Sequence, residues 1–552
     1  SVASRGLGDV YKRQNIYRMS YLKFDKTVMI NLEESLMREV LRTNRVGAYH
    51  SSTVVDCNTR KYHGLLVMPV PALDEDNHVL LSSLDETVIQ HGAEFNLGLH
   101  KYGENDFSPK GHKYIREYTC DTVPRTLYRV GGVIFSKEKV FSQYENRIMI
   151  KYTLEDAHSA TTLRFRPFLA FRNVKDLTYA NNNLNQSYTE VPNGIKMCLY
   201  AGYPNLFMQF SKKATFVYDP QWYYGIEYPK EQERGYPYKE DLFVPGYFEL
   251  PIKKGESVIF SAGDCQTATT RLKSLYETEA QCRTPRTNFF NCLKNSAQQF
   301  YFRPTADDAY LLAGYPWFKV RARDLFVSAP GCTLAIDDPV RFEKIMATCL
   351  PALSAFMEDG AEDNVIKEIS EPDVLLWAIW AIQQYAKEMG IEKTNELYKE
   401  FVEEAIQYIL DQKHPNLHVM DSGLIFADGG KDKAISWMNS MVNGKPVVPR
   451  SGYMVEFNAL WYNALCFLKE MNGGTADKRI EELIKALDIS FPNTFVNGFN
   501  YLFDYVNGSF VDWSVRPNMI FAVALPYSPL TRMQKRAVLD IVTKELLTPK
   551  GI

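Results

Sequence analysis

The stretch ENRIMIKYTLED, residues 145–156, decides the fold of the first half of the chain. Apolar side chains take every second position from Ile148 to Leu154 and alternate with Arg147 and Lys151, which is the pattern of a half-buried strand. Similar runs recur between about residue 20 and residue 265, with turn sequences such as VGG, PNG and KKGE between them. The alternation predicts an antiparallel β-sandwich.

From about residue 267 the apolar period changes to that of helices. The stretch TRLKSLYETEAQCR predicts a linking helix, and about nine further helices follow it. Between them lies a long segment, 413–452, which is too rich in Trp, Met and Arg to be a tether, so we expect it to be ordered over a site. The predicted organisation is a non-native or disordered leader at 1–18, a sandwich domain at 19–265, linker helices at 266–300 and a helical domain at 301–552.

Composition excludes several classes of function. The 552 residues carry 63 basic and 66 acidic side chains, so the net charge of −3 provides no positive field for nucleic acid. The nine cysteines form no CxxC pair and there is no histidine cluster at metal spacing, so we expect neither a metal, a cofactor nor a disulfide framework. There is no apolar run of eighteen residues, so we expect no membrane partner and a cytoplasmic location.

Six of the seven tryptophans lie in the helical half. Trp377 and Trp380 belong to the apolar run LLWAIWAI, which indicates core packing. Trp317, Trp437 and Trp513 instead neighbour polar residues at predicted element boundaries. Because aromatic rings stack on the apolar faces of sugars, these three predict a saccharide site.

Hydrolysis of a glycosidic bond generally requires two carboxyl groups, and three candidates lie in the same motifs as these rings. They are Asp324, Glu456 and Asp512. Each also has a structural interpretation, because Asp324 can cap a helix, Glu456 can be stabilised at a helix start, and Asp512 can pair with Arg516.

Arg323, Arg450 and Arg516 add forked donors for carboxylates or sugar hydroxyls, or else form interdomain ion pairs. In the first half, His63 precedes a buried strand. It is either a structural histidine or part of a loop that reaches the other domain's site.

Four stretches, taken in order, resemble the glycogen debranching enzymes of the bacterial and archaeal type. They also resemble the amylo-alpha-1,6-glucosidase portion of the larger eukaryotic debranchers. The stretches are NRVGAYHSSTVVDCNTRKYHGLL (44–66), AGYPWFKVRARDLFVSAPG (313–331), ISWMNSMVNGKPVVPRSGYMVEFNALWYNAL (435–465) and DWSVRPNMIFAVALPYSPL (512–530).

The resemblance covers about residues 20 to 552. It implies an N-terminal β-sandwich followed by an (α/α)6 toroid barrel that hydrolyses α-1,6-linked glucose at branch points of glycogen or another branched α-glucan, with inversion. It further implies 4-alpha-glucanotransferase activity, for which no separate domain is visible. The candidate binding residues are Tyr315, Trp317, Arg323, Trp437, Asn439, Arg450, Trp513 and Arg516.

Two departures from the family pattern are visible. Family members commonly carry Trp-Met-Asp where this chain has Trp437, Met438 and Asn439, and that Asp matches the general acid. An amide cannot donate a proton as a carboxylic acid does, so Glu456 is the first substitute and Asp324 the next.

The second departure is the number of helices, since six hairpins need twelve. We therefore expect a barrel truncated at its C-terminus, less stable and poorly active. The alternatives are a non-catalytic glycan-binding protein and a phosphorylase on the same kind of barrel.

Overall fold

Strands dominate the chain up to Pro304 in the computed structural model, which describes residues 20–429 and 432–551. The leader predicted at 1–18 lies outside the described residues. The strands of this first unit are β1 (Lys23–Asp25), β2 (Glu39–Thr43), β3 (Tyr49–Thr53), β4 (Gly64–Pro69), β5 (Asn77–Gln90), β6 (Ala93–Asn96), β7 (His100–Gly103), β8 (Asp106–Ser108), β9 (Ile115–Cys120), β10 (Pro124–Val130), β11 (Val133–Phe141), β12 (Arg147–Asp156), β13 (Thr161–Asn173), β14 (Tyr188–Val191), β15 (Gly194–Met197), β16 (Leu206–Phe210), β17 (Thr215–Glu227), β18 (Lys239–Ile252), β19 (Ser257–Gly263) and β20 (Tyr301–Phe302). Its helices are α1 (Lys26–Ile30), α2 (Leu32–Ser35), α3 (Pro229–Glu233), α4 (Leu272–Gln281) and α5 (Phe289–Ala297).

Two large antiparallel sheets make up the first unit. One has nine strands in the order β1-β9-β10-β11-β12-β19-β16-β15-β14, and the other has the path β17-β18-β13-β5-β4-β3-β2, with β6 paired to β5. Their facing sides share one apolar core, in which the Phe165 ring of one sheet lies 4.9 Å from Tyr152 and 5.1 Å from Phe210 of the other. The predicted antiparallel sandwich is confirmed.

The alternation predicted for residues 145–156 is also confirmed, but its second face is not open to solvent. Helix α4, the predicted linking helix, covers that face through Leu272 and Tyr276, which pack against Met149. Arg147 is buried there and donates to the Ser261 hydroxyl at 2.9 Å. The alternation of apolar side chains therefore identified the strand, but it did not indicate that the linking helix packs on the strand's outer side.

His63 lies in the core of this unit, just before β4. Its Nδ1 accepts a hydrogen bond from the Thr59 backbone N–H at 3.1 Å, which fits a structural histidine. The neighbouring strand β3 carries a second buried histidine, His50, whose Nδ1 lies 2.9 Å from the Gly64 carbonyl oxygen.

The second unit runs from Thr305 and is helical. Its helices are α6 (Ala322–Cys332), α7 (Pro339–Asp359), α8 (Val374–Met389), α9 (Ile391–Leu410), α10 (Val455–Met471), α11 (Lys478–Phe495), α12 (Asn518–Ala524) and α13 (Arg532–Glu545). With α5 these are the nine helices predicted beyond the linker. Short strands lie between them, namely β21 (Tyr310–Leu311), β22 (Val320–Arg321), β23 (Ile366–Lys367), β24 (Leu417–Val419), β25 (Ile425–Ala427), β26 (Met441–Val442), β27 (Lys445–Pro446), β28 (Tyr453–Met454), β29 (Tyr505–Asn507) and β30 (Phe510–Val511).

The helices of this unit alternate between an inner and an outer set. Inner helices α6, α8, α10 and α12 each contact the next inner helix, whereas α7, α9, α11 and α13 pack on their outer side. Accordingly α10 is buried around nearly its whole circumference, while α9 and α11 are amphipathic. This alternation of hairpins is that of an (α/α) toroid. Across residues 20–429 and 432–551, none of the helices is both long enough and apolar enough to cross a bilayer.

Candidate active site

The first turns of the four inner helices lie at the same end of the helical unit. Strand β22 leads directly into α6 and pairs in parallel with β23, which shortly precedes α8. Strand β28 leads directly into α10 and pairs with β29, which precedes α12. Side chains from these strand-to-helix junctions therefore converge in two clusters.

The first cluster is built around Arg450, which is buried although it is charged. Its guanidinium holds both carboxylate oxygens of Glu456, with Nη2 to Oε2 at 2.8 Å, and its Nε lies 2.9 Å from Asp504 Oδ2. Burial raises the pKa of Glu456, and the cation beside it opposes that shift. Both oxygens of Glu456 are thus occupied by an ion pair in the first turn of α10.

Asp504 joins this pair to the start of α12. Its Oδ2 also accepts from Arg516 Nη1 at 2.6 Å, and its Oδ1 accepts from Asn518 Nδ2 at 2.8 Å. The side-chain Oδ1 of Asn518 in turn accepts from the Trp437 indole N–H at 2.7 Å. The Trp437 ring is therefore fixed in orientation although 48% of its surface is exposed.

Asp512 lies at the edge of the same cluster. Its Oδ2 accepts from Arg516 at 2.8 Å and its Oδ1 from the Ser514 backbone N–H at 2.8 Å. Burial acts in the opposite direction, but these hydrogen bonds hold the pKa of Asp512 below its ordinary value. The adjacent Trp513 is half exposed, with its ring edge-on to Phe503 at 4.6 Å.

The second cluster joins the starts of α6 and α8. Arg323 is buried and bound by Asp373, with Nε to Oδ2 at 2.7 Å and Nη2 to Oδ1 at 2.7 Å. Asp373 also accepts from the Trp377 indole N–H at 3.0 Å. Glu371 lies beside them, with its Oε2 at 3.5 Å from Arg323 Nη2.

The two clusters are linked. Trp377 of the second cluster packs edge-on against Phe521 at 5.2 Å, and Phe521 lies one turn after Asn518 on α12. Lys433, in the same segment as Trp437, also acts electrostatically on Glu371. The structure therefore brings Arg323, Trp437, Arg450, Glu456, Asp512, Trp513 and Arg516 to one end of the helical unit.

The remaining predicted residues lie on the segments that lead into these clusters. Tyr315 and Trp317 are in a hairpin closed by the Gly314–Phe318 pair, ahead of α6, and Trp317 is half exposed. Asp324 is exposed in the first turn of α6, next to the buried Arg323. Asn439 is half-buried, two residues beyond Trp437.

The later part of the segment predicted at 413–452 begins and ends at one place. Ala427 and Gly452 exchange two backbone hydrogen bonds, of 2.9 and 2.8 Å. Gly452 has φ +118°, and a Cβ there would lie 2.4 Å from the Val506 carbonyl oxygen, so no other residue fits. The loop that carries Trp437 and Arg450 is thus closed at its base.

The sequence profile described as "Glycogen debranching enzyme N terminal" matches residues 38–259, and the profile described as "Amylo-alpha-1,6-glucosidase" matches residues 294–552. The chain belongs to the glycogen debranching enzyme-like family. That membership makes it a glucan-processing protein of the glycoside hydrolase type.

No curated protein matches this family member by sequence. Among solved structures it is similar to a bacterial glucoamylase complexed with acarbose, at 11% identity and a TM-score of 0.47, over 96% of this chain and 80% of that one. It is also similar to a protein assigned as a kojibiose phosphorylase from the human microbiome, at 10% identity and a TM-score of 0.36, over 84% of this chain and 69% of that one.

This debranching enzyme-like site is rich in paired charges and exposed indole rings. Among the described residues, no group of three His, Cys, Asp or Glu side chains is arranged to hold a metal ion. The side chains gathered at the site offer carboxyl groups, guanidinium donors and aromatic faces.

Sequence reasoning missed four polar residues of this site, namely Glu371, Asp373, Asp504 and Asn518. Three of their partners lie between 50 and 81 positions away in the chain, as in the Arg323–Asp373, Arg450–Asp504 and Trp437–Asn518 contacts. Asp373 carried a usable signal, because an acidic residue that directly precedes a long apolar helix marks a helix start. Asp504 stands in the loop sequence FNYLFDYVNG, which carries no comparable signal.

Proposed function

We propose that this chain hydrolyses α-1,6-linked glucose at the branch points of glycogen or a related branched α-glucan, with inversion. The observation that supports it is the arrangement of Trp437 and Trp513. Both rings are half exposed, Trp437 is hydrogen-bonded to Asn518 of a network of paired carboxylates and arginines at the inner helix ends, and Trp513 directly follows Asp512 of the same network. Such rings stack on sugar faces, while the polar groups orient the hydroxyls.

Of the three carboxylates predicted for catalysis, Asp324 is the one we propose as the base that activates water. Its side chain is exposed in the first turn of α6, so water and substrate can reach it. Both oxygens of Glu456 are held by Arg450, and both oxygens of Asp512 accept hydrogen bonds. We therefore propose that Glu456 and Asp512 position the site rather than exchange protons with the substrate.

We also propose the cytoplasm as the place of this reaction, because the spacing of the nine cysteines is not that of a disulfide framework. The exposed indole rings, which adjoin carboxylates and guanidinium groups already paired with each other, support a neutral polysaccharide as the partner.

Release of free glucose from a branched limit dextrin by the purified chain tests this function. We expect glucose release by the parent chain and a loss of at least about a hundredfold in Asp324→Asn, because the variant lacks the base. The matched control is Glu388→Gln, which removes an exposed carboxylate at the opposite end of α8 and should leave the rate unchanged.

Two alternatives give different results in the same assay. A glycan-binding protein without activity retains the dextrin and releases no glucose; the half-buried amide of Asn439 favours this candidate. A phosphorylase releases glucose 1-phosphate, and only when inorganic phosphate is present. Either result would contradict the proposed hydrolysis.

A further inference from the structure

A cavity of about 390 Å³ lies within the first unit. Residues of β1 and β9, at one end of the nine-stranded sheet, and of β2, at one end of the other sheet, belong to its lining. Among the described residues that lining contains three arginines, Arg38, Arg42 and Arg286, and one carboxylate, that of Glu39. The contacts of these charged groups show what kind of ligand the cavity suits.

Arg42 and Arg286 share one thiol as a hydrogen-bond partner. Arg42 Nη2 lies 2.8 Å from Cys120 Sγ, and Arg286 Nη1 lies 3.4 Å from the same sulfur. Arg286 is buried, with 6% of its surface exposed. Within the part of the chain that the structure describes, neither guanidinium forms an ion pair with a carboxylate. A thiol is only a weak acceptor, so no counter-charge offsets the cost of taking Arg286 out of water.

The two arginines also act on each other. Burial lowers the pKa of Arg286 below its ordinary value, and the charge of Arg42 acts in the same direction. Burial raises the pKa of the Tyr118 hydroxyl in the same cavity, and both arginines oppose that shift. The three side chains therefore lie within electrostatic reach of one another. An anion placed beside them would relieve the repulsion between the two cations.

The carboxylate of the lining does not supply that anion. Glu39 Oε1 accepts a hydrogen bond from Arg60 Nε at 2.7 Å, and the same oxygen lies 3.7 Å from His63 Nε2. Its charge is thus already paired with Arg60, and the excess of positive charge in the cavity remains.

Arg38 adds an unpartnered donor to the cavity wall. Its Nη2 has a long contact of 3.4 Å with Glu34 at the surface, while its Nε is buried and has no hydrogen-bond partner among the described residues. Buried polar atoms are nearly always hydrogen-bonded. This N–H therefore requires a partner that the surrounding protein does not provide.

Two aromatic rings form an apolar part of the same lining. Phe24 of β1 and Tyr118 of β9 are directly opposite in the register of the two strands, and their rings lie 22° from parallel with centroids 6.0 Å apart. The Arg38 guanidinium lies over the Phe24 ring, 4.7 Å from its centroid. Because aromatic rings stack on the apolar faces of sugars, the cavity combines a surface for a sugar ring with donors for an anion.

We propose that this cavity binds a phosphate monoester of a small sugar. The phosphate oxygens accept hydrogen bonds from Arg42, Arg286 and the Nε of Arg38, because guanidinium groups match a phosphate in both geometry and charge. The sugar lies against Phe24 and Tyr118. A cavity of about 390 Å³ holds one molecule of this size, but it holds neither a polysaccharide nor a nucleic acid. The site lies wholly within the first unit and does not depend on the proposed hydrolysis.

Isothermal titration calorimetry of the purified chain tests the site with three probes, namely glucose 6-phosphate, inorganic phosphate and glucose. All titrations are made at one ionic strength, so that general screening is the same for each probe. We expect one glucose 6-phosphate to bind per chain, at least about tenfold more tightly than inorganic phosphate and than glucose. The phosphate supplies the charge that the arginines lack, and the sugar supplies the apolar face for the rings.

Arg286→Met is the decisive variant, because methionine keeps a long side chain and removes the charge. The affinity for glucose 6-phosphate should fall at least about tenfold. The melting temperature of the ligand-free variant should not fall below that of the parent, because the variant no longer buries a cation without a counter-charge. A purely structural role for Arg286 would instead lower that melting temperature.

Two further variants complete the comparison. Arg42→Met should lower the affinity to a similar extent, since Arg42 binds the same phosphate group. Arg129→Met is the matched control, because Arg129 is an exposed arginine of β10 in the same sheet. It should leave both the affinity and the melting temperature unchanged.

The opposite results would each contradict the proposal. If glucose 6-phosphate does not bind, or binds the parent and the two cavity variants equally well, the cavity is not an anion site. Equal affinity for inorganic phosphate would mean that the sugar ring is not recognised, and equal affinity for glucose would mean that the charge is not. None of these results bears on whether the chain releases glucose from a branched dextrin.

Discussion

Arg450 is the single residue on which most of the first cluster depends. It is fully enclosed, and it contacts both Glu456 and Asp504. Taking a guanidinium out of water is costly, so its burial is stable only while the carboxylates around it remain ionised and in place. The exposed Trp437 ring depends on the same network through Asn518.

Glu456→Gln should therefore destabilise the protein. Loss of one buried carboxylate leaves Arg450 with Asp504 alone and lowers the free energy of unfolding by about 3 kcal/mol. Urea denaturation followed by circular dichroism measures the change. Asp540→Asn, which breaks an exposed ion pair with Arg536 on α13, is the control and should cause no measurable loss. Unchanged stability together with lost turnover would instead identify Glu456 as a reacting group.

At the scale of single residues, the sequence pattern selects residues that gather at the inner helix ends, but it does not reveal their contacts there. Trp437, Arg450 and Asp512 were recognised because aromatic and charged residues coincide at element boundaries. Their roles depend on partners such as Asp504, which lies 54 positions from Arg450. A pattern within one segment carries no information on which distant acid will neutralise an arginine, so these pairings could not be predicted.

Whole elements were more predictable, because periodicity reports directly on which face of an element is buried. The period of 3.6 residues identified all nine helices beyond the linker, and the period of two identified the sandwich strands. The period of two did not predict burial of the second face of a strand where another element covers it, as α4 does over β12. The strands of two or three residues that align the inner helix starts were also missed, since they are too short to show a period.

Two buried histidines, His50 in strand β3 and His63 in the turn before β4, make the stability of the protein sensitive to acid. Burial lowers the pKa of both His50 and His63 to about 3, so both are neutral in the folded protein. The unfolded chain takes up these protons below pH ~6.5, whereas the folded protein does so only near pH ~3. The contribution of the two histidines to the free energy of unfolding should therefore be fully present above pH ~6.5. Between pH ~6.5 and pH ~3 it should fall on acidification by about 1.4 kcal/mol per pH unit for each histidine.

Denaturant titrations at a series of pH values measure this slope. The control is a double variant, His50→Asn with His63→Asn, in which the amide retains one hydrogen-bonding group at each site but cannot be protonated. Its slope should be shallower than that of the parent. Parallel slopes for the two proteins would contradict the assignment of acid sensitivity to these histidines.

For the molecule as a whole, the balance of 63 basic and 66 acidic residues predicts how it binds a glucan. A neutral polysaccharide releases no counterions when it binds. Its affinity should therefore not fall with rising salt concentration as the affinity for a polyanion does. We expect the affinity for glycogen to change by less than about twofold between about 50 mM and about 500 mM sodium chloride. Affinity electrophoresis in glycogen gels measures this, and a steep decline with salt would argue for an anionic ligand.

The closure of the loop at Ala427 and Gly452 has a consequence for how such a site can diversify. Because both ends meet at one bridge, the part of the intervening chain that lies between Trp437 and Arg450 can vary in length without altering the hairpins beneath it, as long as those two residues keep their contacts. Substrate preference can then change through exchange of this one surface segment. Grafting it between relatives, with Trp437 and Arg450 retained, is the natural route to new chain-length specificity.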